Sequence, residues 1–142
     1  MARPIHHPAG RWAVNLSFTS NPADIAPART AIEALAREHG FDEMSVGEIG
    51  LVVNEAIANV IRHAYHNRTD GRIDMAARVE NDTIFISLRD WGDGAIPDAS
   101  RVKTNPLIPG GLGIPCMRQM TDSMQFIKQT DGMLLNLTRS KR

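Results

Sequence analysis

Apolar residues recur at every second position at the start of the chain, with Trp12, Val14, Leu16 and Phe18 on one face and Ala13, Asn15, Ser17 and Thr19 on the other. That alternation predicts a half-buried strand. Ser20-Asn21-Pro22 breaks it, and Asp24 stands where it can cap a helix that tolerates Pro27 within its first turn. The period then becomes helical: Ile25, Ala28, Ile32, Leu35 and Ala36 form one stripe, and Gly40 is a natural stop. Ser45-Val46-Gly47-Glu48 has the spacing of a capping box and predicts a second helix reaching about His66. Residues 67–71 end it.

Beyond this point the pattern is mostly that of strands. Ile73, Met75, Ala77 and Val79 alternate with Arg72, Asp74, Arg78 and Glu80. Asn81-Asp82 suits a tight turn into Ile84, Ile86 and Leu88, which alternate with Phe85, Ser87 and Arg89. A long stretch containing Gly and Pro runs from Trp91 to Gly113. A short helix is expected at 114–120, then two strands joined by Asp131-Gly132, a favoured hairpin dipeptide. The order β-α-α-β-β-loop-α-β-β predicts an α+β fold, a two-layer sandwich whose helices cover one face of a mostly antiparallel sheet. Nothing repeats at a fixed period. Residues 1–11 are expected to be a flexible N-terminus, with His6 and His7 part of that terminus rather than metal ligands, and 12–142 a single domain.

Composition narrows the class. At 142 residues the chain can hide roughly 70% of its unfolded surface, and 42% apolar with 23% charged residues fits a globular domain. Sixteen basic and sixteen acidic residues cancel, so the excess that marks direct nucleic-acid binding is missing. The one cysteine, Cys116, excludes an intramolecular disulfide framework and a cysteine-rich zinc module, and suits a reducing compartment. No apolar run is expected to span a membrane, and the first residues show no apolar signal-peptide core. The expectation is a small cytoplasmic domain.

Three places break the pattern. On the second helix Glu48, Glu55, Asn59, Arg62, His63 and His66 fall within an arc of about 100°, while most other positions, Leu51 among them, are apolar. Glu55, Asn59 and His63 stand in register at i, i+4 and i+8. A solvated face explains such an arc; so does a base beside a metal or phosphate ligand. Asp90 continues the phase of Ile84, Ile86 and Leu88, so its carboxylate points to the core side and needs a donor, either from the turn it would cap or from a ligand. Gly92 and Gly94 just beyond it let the backbone approach something closely. Gly110-Gly111-Leu112-Gly113 precedes a short helix, which suits a phosphate but also a plain flexible loop. It is neither a P-loop, since no Lys-Ser/Thr follows, nor a dinucleotide fingerprint, since the flanking order is not βαβ.

Taken together, Glu55-x-x-x-Asn59 on a helix, Asp90-x-Gly92-x-Gly94 after a strand and Gly111-x-Gly113 before a helix resemble the Bergerat-fold (histidine-kinase-like) ATPases over residues 12–139. The run Asn54-Glu55-Ala56-Ile57-Ala58-Asn59-Val60-Ile61-Arg62-His63-Ala64-Tyr65 and the short lid look most like the anti-sigma-factor serine/threonine protein kinases. The resemblance implies Mg-ATP as cofactor, with Glu55 as general base and Asn59 as the Mg²⁺ ligand bridging to the phosphates. It makes Asp90 the acceptor for the adenine amino group, with Gly92 and Gly94 shaping the pocket. Gly111, Leu112 and Gly113 would lie by the phosphates beside a lid at 95–109, from which Lys103 or Arg101 could reach them. His63 matches a position often histidine in these kinases, either an ordinary wall residue or part of the chemistry. The implied partners are a STAS-type anti-anti-sigma protein, which is phosphorylated, and a sigma factor; a homodimer is implied as well. The rival is a nucleotide-binding regulatory module that sequesters a partner without phosphotransfer, and the intact Glu55 speaks against it. Three departures stand out: Ala95 adds a residue after the second glycine, Gly132-Met133-Leu134 replaces the common Gly-Thr, and the lid ends without a clear arginine.

Overall fold

The computed structural model describes residues 12–94 and 113–142. Five strands form one sheet: β1 (Val14–Thr19), β2 (Arg72–Glu80), β3 (Thr83–Asp90), β4 (Ser123–Lys128) and β5 (Met133–Ser140). Their order is β1-β2-β3-β5-β4, and every neighbouring pair is antiparallel. Leu16 lies opposite Met75, Met75 opposite Leu88, Leu88 opposite Leu135 and Leu135 opposite Phe126, so one apolar row crosses the sheet. The row packs under α1 (Ile25–Glu38) and α2 (Glu43–Asn59), and α3 (Ile114–Gln119) adds Met117 to the same core. Ile32, Ile57, Ile73, Met75 and Ile84 have no accessible surface, and each such side chain stabilises the fold by about 1.5–3 kcal/mol relative to exposure. This is the expected α+β sandwich.

The stripe on α1 falls as its period requires, with Ala28, Ile32, Leu35 and Ala36 buried and Gly40 past its end at φ +84°. The tight turn between β2 and β3 is also confirmed, since Asn81 and Asp82 both adopt positive φ.

Several expectations are corrected. Helix α2 opens at Glu43, capped by Asp42, whose carboxylate accepts the Ser45 N–H at 2.8 Å and is held below the usual carboxylate range by that bond. Ser45 is therefore not the cap. It is buried, and its hydroxyl accepts from Arg139 at 2.8 Å. Beyond Asn59 the helix widens into a π-helical turn, Val60–Ala64, closed by the Tyr65 N–H on the Val60 carbonyl. Leu51 and Met44, on apolar flanks of α2, are exposed because no element among the described residues covers that side. The segment Glu43–Ala64 does have the length and composition of a membrane span, contrary to the expectation that no run does, but more than half of it is buried as the core helix of this fold. On β2, Asp74 and Arg78 are buried although they alternate with the core residues. Ser17 and Arg72 bond Asp74, while Arg78 stacks against Trp12 and Phe85. Between β4 and β5, the Gln129 N–H donates to the Gly132 carbonyl, which makes Thr130 and Asp131 the turn residues and puts Gly132 just after them.

Candidate nucleotide site

A cavity opens where the end of α2 passes over the end of β3. Ala56, Asn59 and Val60 form its helical wall, Leu88 and Leu135 its floor, and Met117 closes one side from α3. The lining is mainly apolar with few polar groups, the usual character of a small-ligand site. Of the residues singled out in the sequence, Asn59, His63, Asp90 and Gly94 line it together, although Asn59 and Asp90 lie on different elements.

Asp90 is 4% exposed and pairs with Met133 across the sheet, so the phase argument for an inward carboxylate holds. The Gly92 N–H donates to its Oδ1 at 2.9 Å, so Asp90 does cap the turn after β3 while facing the cavity. Burial pushes its pKa above the ordinary value of 3.8, partly offset by the Gly92 and Met133 backbone and by Arg89 and Lys128. The segment that carries it is fixed from two sides. A Cβ on Gly92 would strike the Ala64 carbonyl, so only glycine lets the turn lie this close to the helix. Across from it the Tyr65 hydroxyl accepts the Trp91 N–H at 2.8 Å and donates to the Arg72 carbonyl at 2.5 Å. Gly132, at φ +106°, lies against the Asp90 backbone, where a side chain would collide with it.

Glu55 is buried and Asn59 half-buried, one turn apart on α2. Arg62 joins them: one nitrogen, Nη2, lies 2.8 Å from Glu55 Oε2 and 2.8 Å from Asn59 Oδ1. Part of the polar arc is thus neither solvated nor free. It is a built cluster of a carboxylate, an amide and a guanidinium beside the cavity. Elsewhere on the arc, Glu48 pairs with the buried Arg139 at 2.9 Å and His66 with Asp93 at 2.5 Å. Exposed His63 stands at the rim.

Lys103, Gly111 and Leu112, and the lid expected at 95–109, lie outside the described residues. Gly113 is described: at φ +86° it precedes α3, and its carbonyl accepts the Met117 N–H at 3.1 Å. The sequence placed Arg62 on the polar arc, Tyr65 in the run that carries the resemblance and Gly132 in a hairpin, but gave none of them, nor Met117, a part in the site. Only the i+3 and i+7 spacing of Arg62 from Asn59 and Glu55 could have pointed to the first. No cluster of three acidic, histidine or cysteine ligands occurs among the described residues. Asn59 Oδ1 already holds a cationic group, and one protein oxygen suits a Mg²⁺ that arrives coordinated by substrate phosphates.

The fold is a two-layer sandwich with the helices on one sheet face and a mainly apolar cavity between α2 and β3. The chain matches the histidine kinase-like ATPase domain family over residues 18–139 and belongs to that family. It is 24% identical over 131 residues to the serine-protein kinase RsbW of Oceanobacillus iheyensis, covering 86% of this chain and 83% of that one. It is 29% identical over 144 residues to the anti-sigma F factor of Halalkalibacterium halodurans, covering 92% and 97%. Among solved structures it is similar to the RsbU and RsbW domains of a Mycobacterium tuberculosis protein, with TM-score 0.64 and 16% identity over 91% of this chain and 33% of the longer one, a likeness of fold.

Proposed function

We propose that this chain is a cytoplasmic Mg-ATP-dependent protein serine/threonine kinase that phosphorylates a STAS-type anti-anti-sigma partner and binds a sigma factor. One observation carries the reading: a mainly apolar cavity bears Asp90 and Asn59 on its walls, with Glu55 tied to Asn59 through Arg62. The names of the relatives, a serine-protein kinase and an anti-sigma F factor, support the choice of substrate and partner.

In this reading the adenine ring lies between the apolar floor and the α2 wall, and its amino group donates to Asp90. A buried carboxylate with a raised pKa is a strong acceptor once ionised, and it rejects bases that present an acceptor there. Met133, opposite Asp90, stands where the family commonly has threonine, so the wall there is a thioether and Asp90 carries the polar recognition. Asn59 Oδ1 would hold Mg²⁺, which when bound neutralises charge on the phosphate oxygens. Glu55 takes the proton of the partner's hydroxyl as that oxygen attacks the γ-phosphorus and ADP leaves. Positioning and charge neutralisation account for most of such a transfer, so one base and one metal ligand beside a phosphate site suffice.

The test is incubation of the chain with labelled ATP, Mg²⁺ and each STAS protein encoded in the same genome. Label on a serine or threonine of one of them is the expected result. ATP and partner binding without transfer to any of them would replace the kinase with a sequestering module.

A further inference from the structure

Arg62 puts a cation at the point where the proposed reaction requires a different one. Its Nη2 is equidistant, at 2.8 Å, from Glu55 Oε2 and Asn59 Oδ1, one oxygen of the assigned base and the oxygen assigned to the metal. Neither oxygen is fully available while that nitrogen sits between them. We propose that Arg62 is a latch that holds the base and the metal ligand together and must leave Asn59 before Mg-nucleotide can bind. This inference rests on the kinase reading of the site.

The geometry supports competition over coexistence. A guanidinium and a divalent cation sharing one amide oxygen would lie within a few ångströms of each other, where like charges repel strongly in a half-buried setting. Arg62 can also move. Its side chain is 33% exposed against 6% for Glu55, so the guanidinium has a route to solvent while the carboxylate stays in place. The spacing also fits: at i+3 from Asn59 and i+7 from Glu55, one long side chain on the same face reaches both. The latch thus holds the base in reserve until the metal has arrived with its phosphates. Arg62 acts through Glu55 and Asn59, and is a positioning residue.

Isothermal titration with ATP in excess Mg²⁺ and with ATP in EDTA yields, for each variant, the ratio of metal-free to Mg-ATP dissociation constants. Removing the competing cation in Arg62→Gln should raise that ratio about tenfold over wild type, the worth of one charge-assisted hydrogen bond. Arg62→Lys, which keeps the charge, should bring the ratio most of the way back. An unchanged or lower ratio in Arg62→Gln, with wild type binding Mg-ATP, would overturn the latch and leave the kinase reading standing. No binding of Mg-ATP by wild type would overturn both. If Arg62→Gln fails to fold, Arg62→Met gives the same comparison. The Asn59 side-chain amide resonance in the wild type gives an independent one: it should shift with Mg-nucleotide and not with metal-free nucleotide, and equal shifts in both would sink the proposal.

Discussion

Replacing Asp90 by asparagine should lower ATP affinity without lowering protein stability. The substitution keeps size and shape, and the new Oδ1 can still accept the Gly92 N–H that Asp90 accepts at 2.9 Å. The charge is what disappears. In the proposed site a charge-assisted bond from the adenine amino group goes with it, and the asparagine amide then presents a donor to a donor. A loss of about 1.5–3 kcal/mol follows, roughly 10- to 150-fold in Kd. Stability should behave differently, because burial raises the Asp90 pKa above 3.8. Between 3.8 and the raised value the folded chain holds more protons than the unfolded one. This group's contribution therefore falls as pH rises through that window, and at neutral pH the buried carboxylate is a net cost. Asp90→Asn should leave the nucleotide-free Tm equal or higher at pH 7.5. The affinity gap between wild type and variant should also narrow as pH falls toward the raised pKa, since the wild-type carboxyl then protonates. Calorimetric titration across pH, with thermal melts alongside, reads all three. Unchanged ATP affinity would place the adenine elsewhere, and a clear fall in Tm would show that the carboxylate holds the fold together.

Other substitutions separate the remaining roles. Glu55→Ala should leave Mg-ATP affinity near wild type while phosphotransfer drops roughly 10²–10⁴-fold, whereas Asn59→Ala should lower both, as titration and label transfer would show. Gly132→Ala forces a side chain to φ +106° against the Asp90 backbone; a loss of about 1–3 kcal/mol in stability is expected by denaturant unfolding, together with weaker ATP binding. Arg139 is 1% exposed and ties Glu48, Ser45 and the Met120 carbonyl together. Arg139→Ala should cost about 3 kcal/mol, the low end for breaking a buried pair since Glu48 is partly solvated, and an intact urea midpoint would refute that. Saturating Mg-ATP at 100 times Kd should add about 2.7 kcal/mol to wild-type stability.

The strands and α1 were legible because a half-buried sheet imposes a period of two on Val14–Thr19 and on Thr83–Asp90, and a one-sided helix imposes 3.6 on Ile25–Glu38. Asp90 was legible for the same reason, as a charge in an apolar phase. The start of α2 was misread because Asp42 and Ser45 are both good caps, and the choice was made by Arg139, 94 residues away from Ser45 in sequence. Burial on both faces of β2 depends likewise on Arg72, Trp12 and Phe85 closing over Asp74 and Arg78. For the site, spacing revealed Glu55 and Asn59 as neighbours, but not that Arg62 holds them. The apolar floor could not be read as a floor, since Leu88, Met117 and Leu135 look like any other core residues until the chain brings them under Asn59.

Because Val60–Ala64 holds one residue more than an α-helical turn would, its length is not adjustable. Changing the number of residues there would change which carbonyl and which side chain meet the turn after β3, where the Ala64 carbonyl accepts the Asp93 N–H at 3.1 Å and the Tyr65 hydroxyl accepts from Trp91 and donates to the Arg72 carbonyl. The exposed Asn81-Asp82 turn carries no such obligation, since its residues touch neither the cavity nor the segment around Asp90. Insertions and deletions accumulating in descendants of this chain should therefore collect at the far end of the sheet, while the count of residues between Asn59 and Tyr65 stays constant.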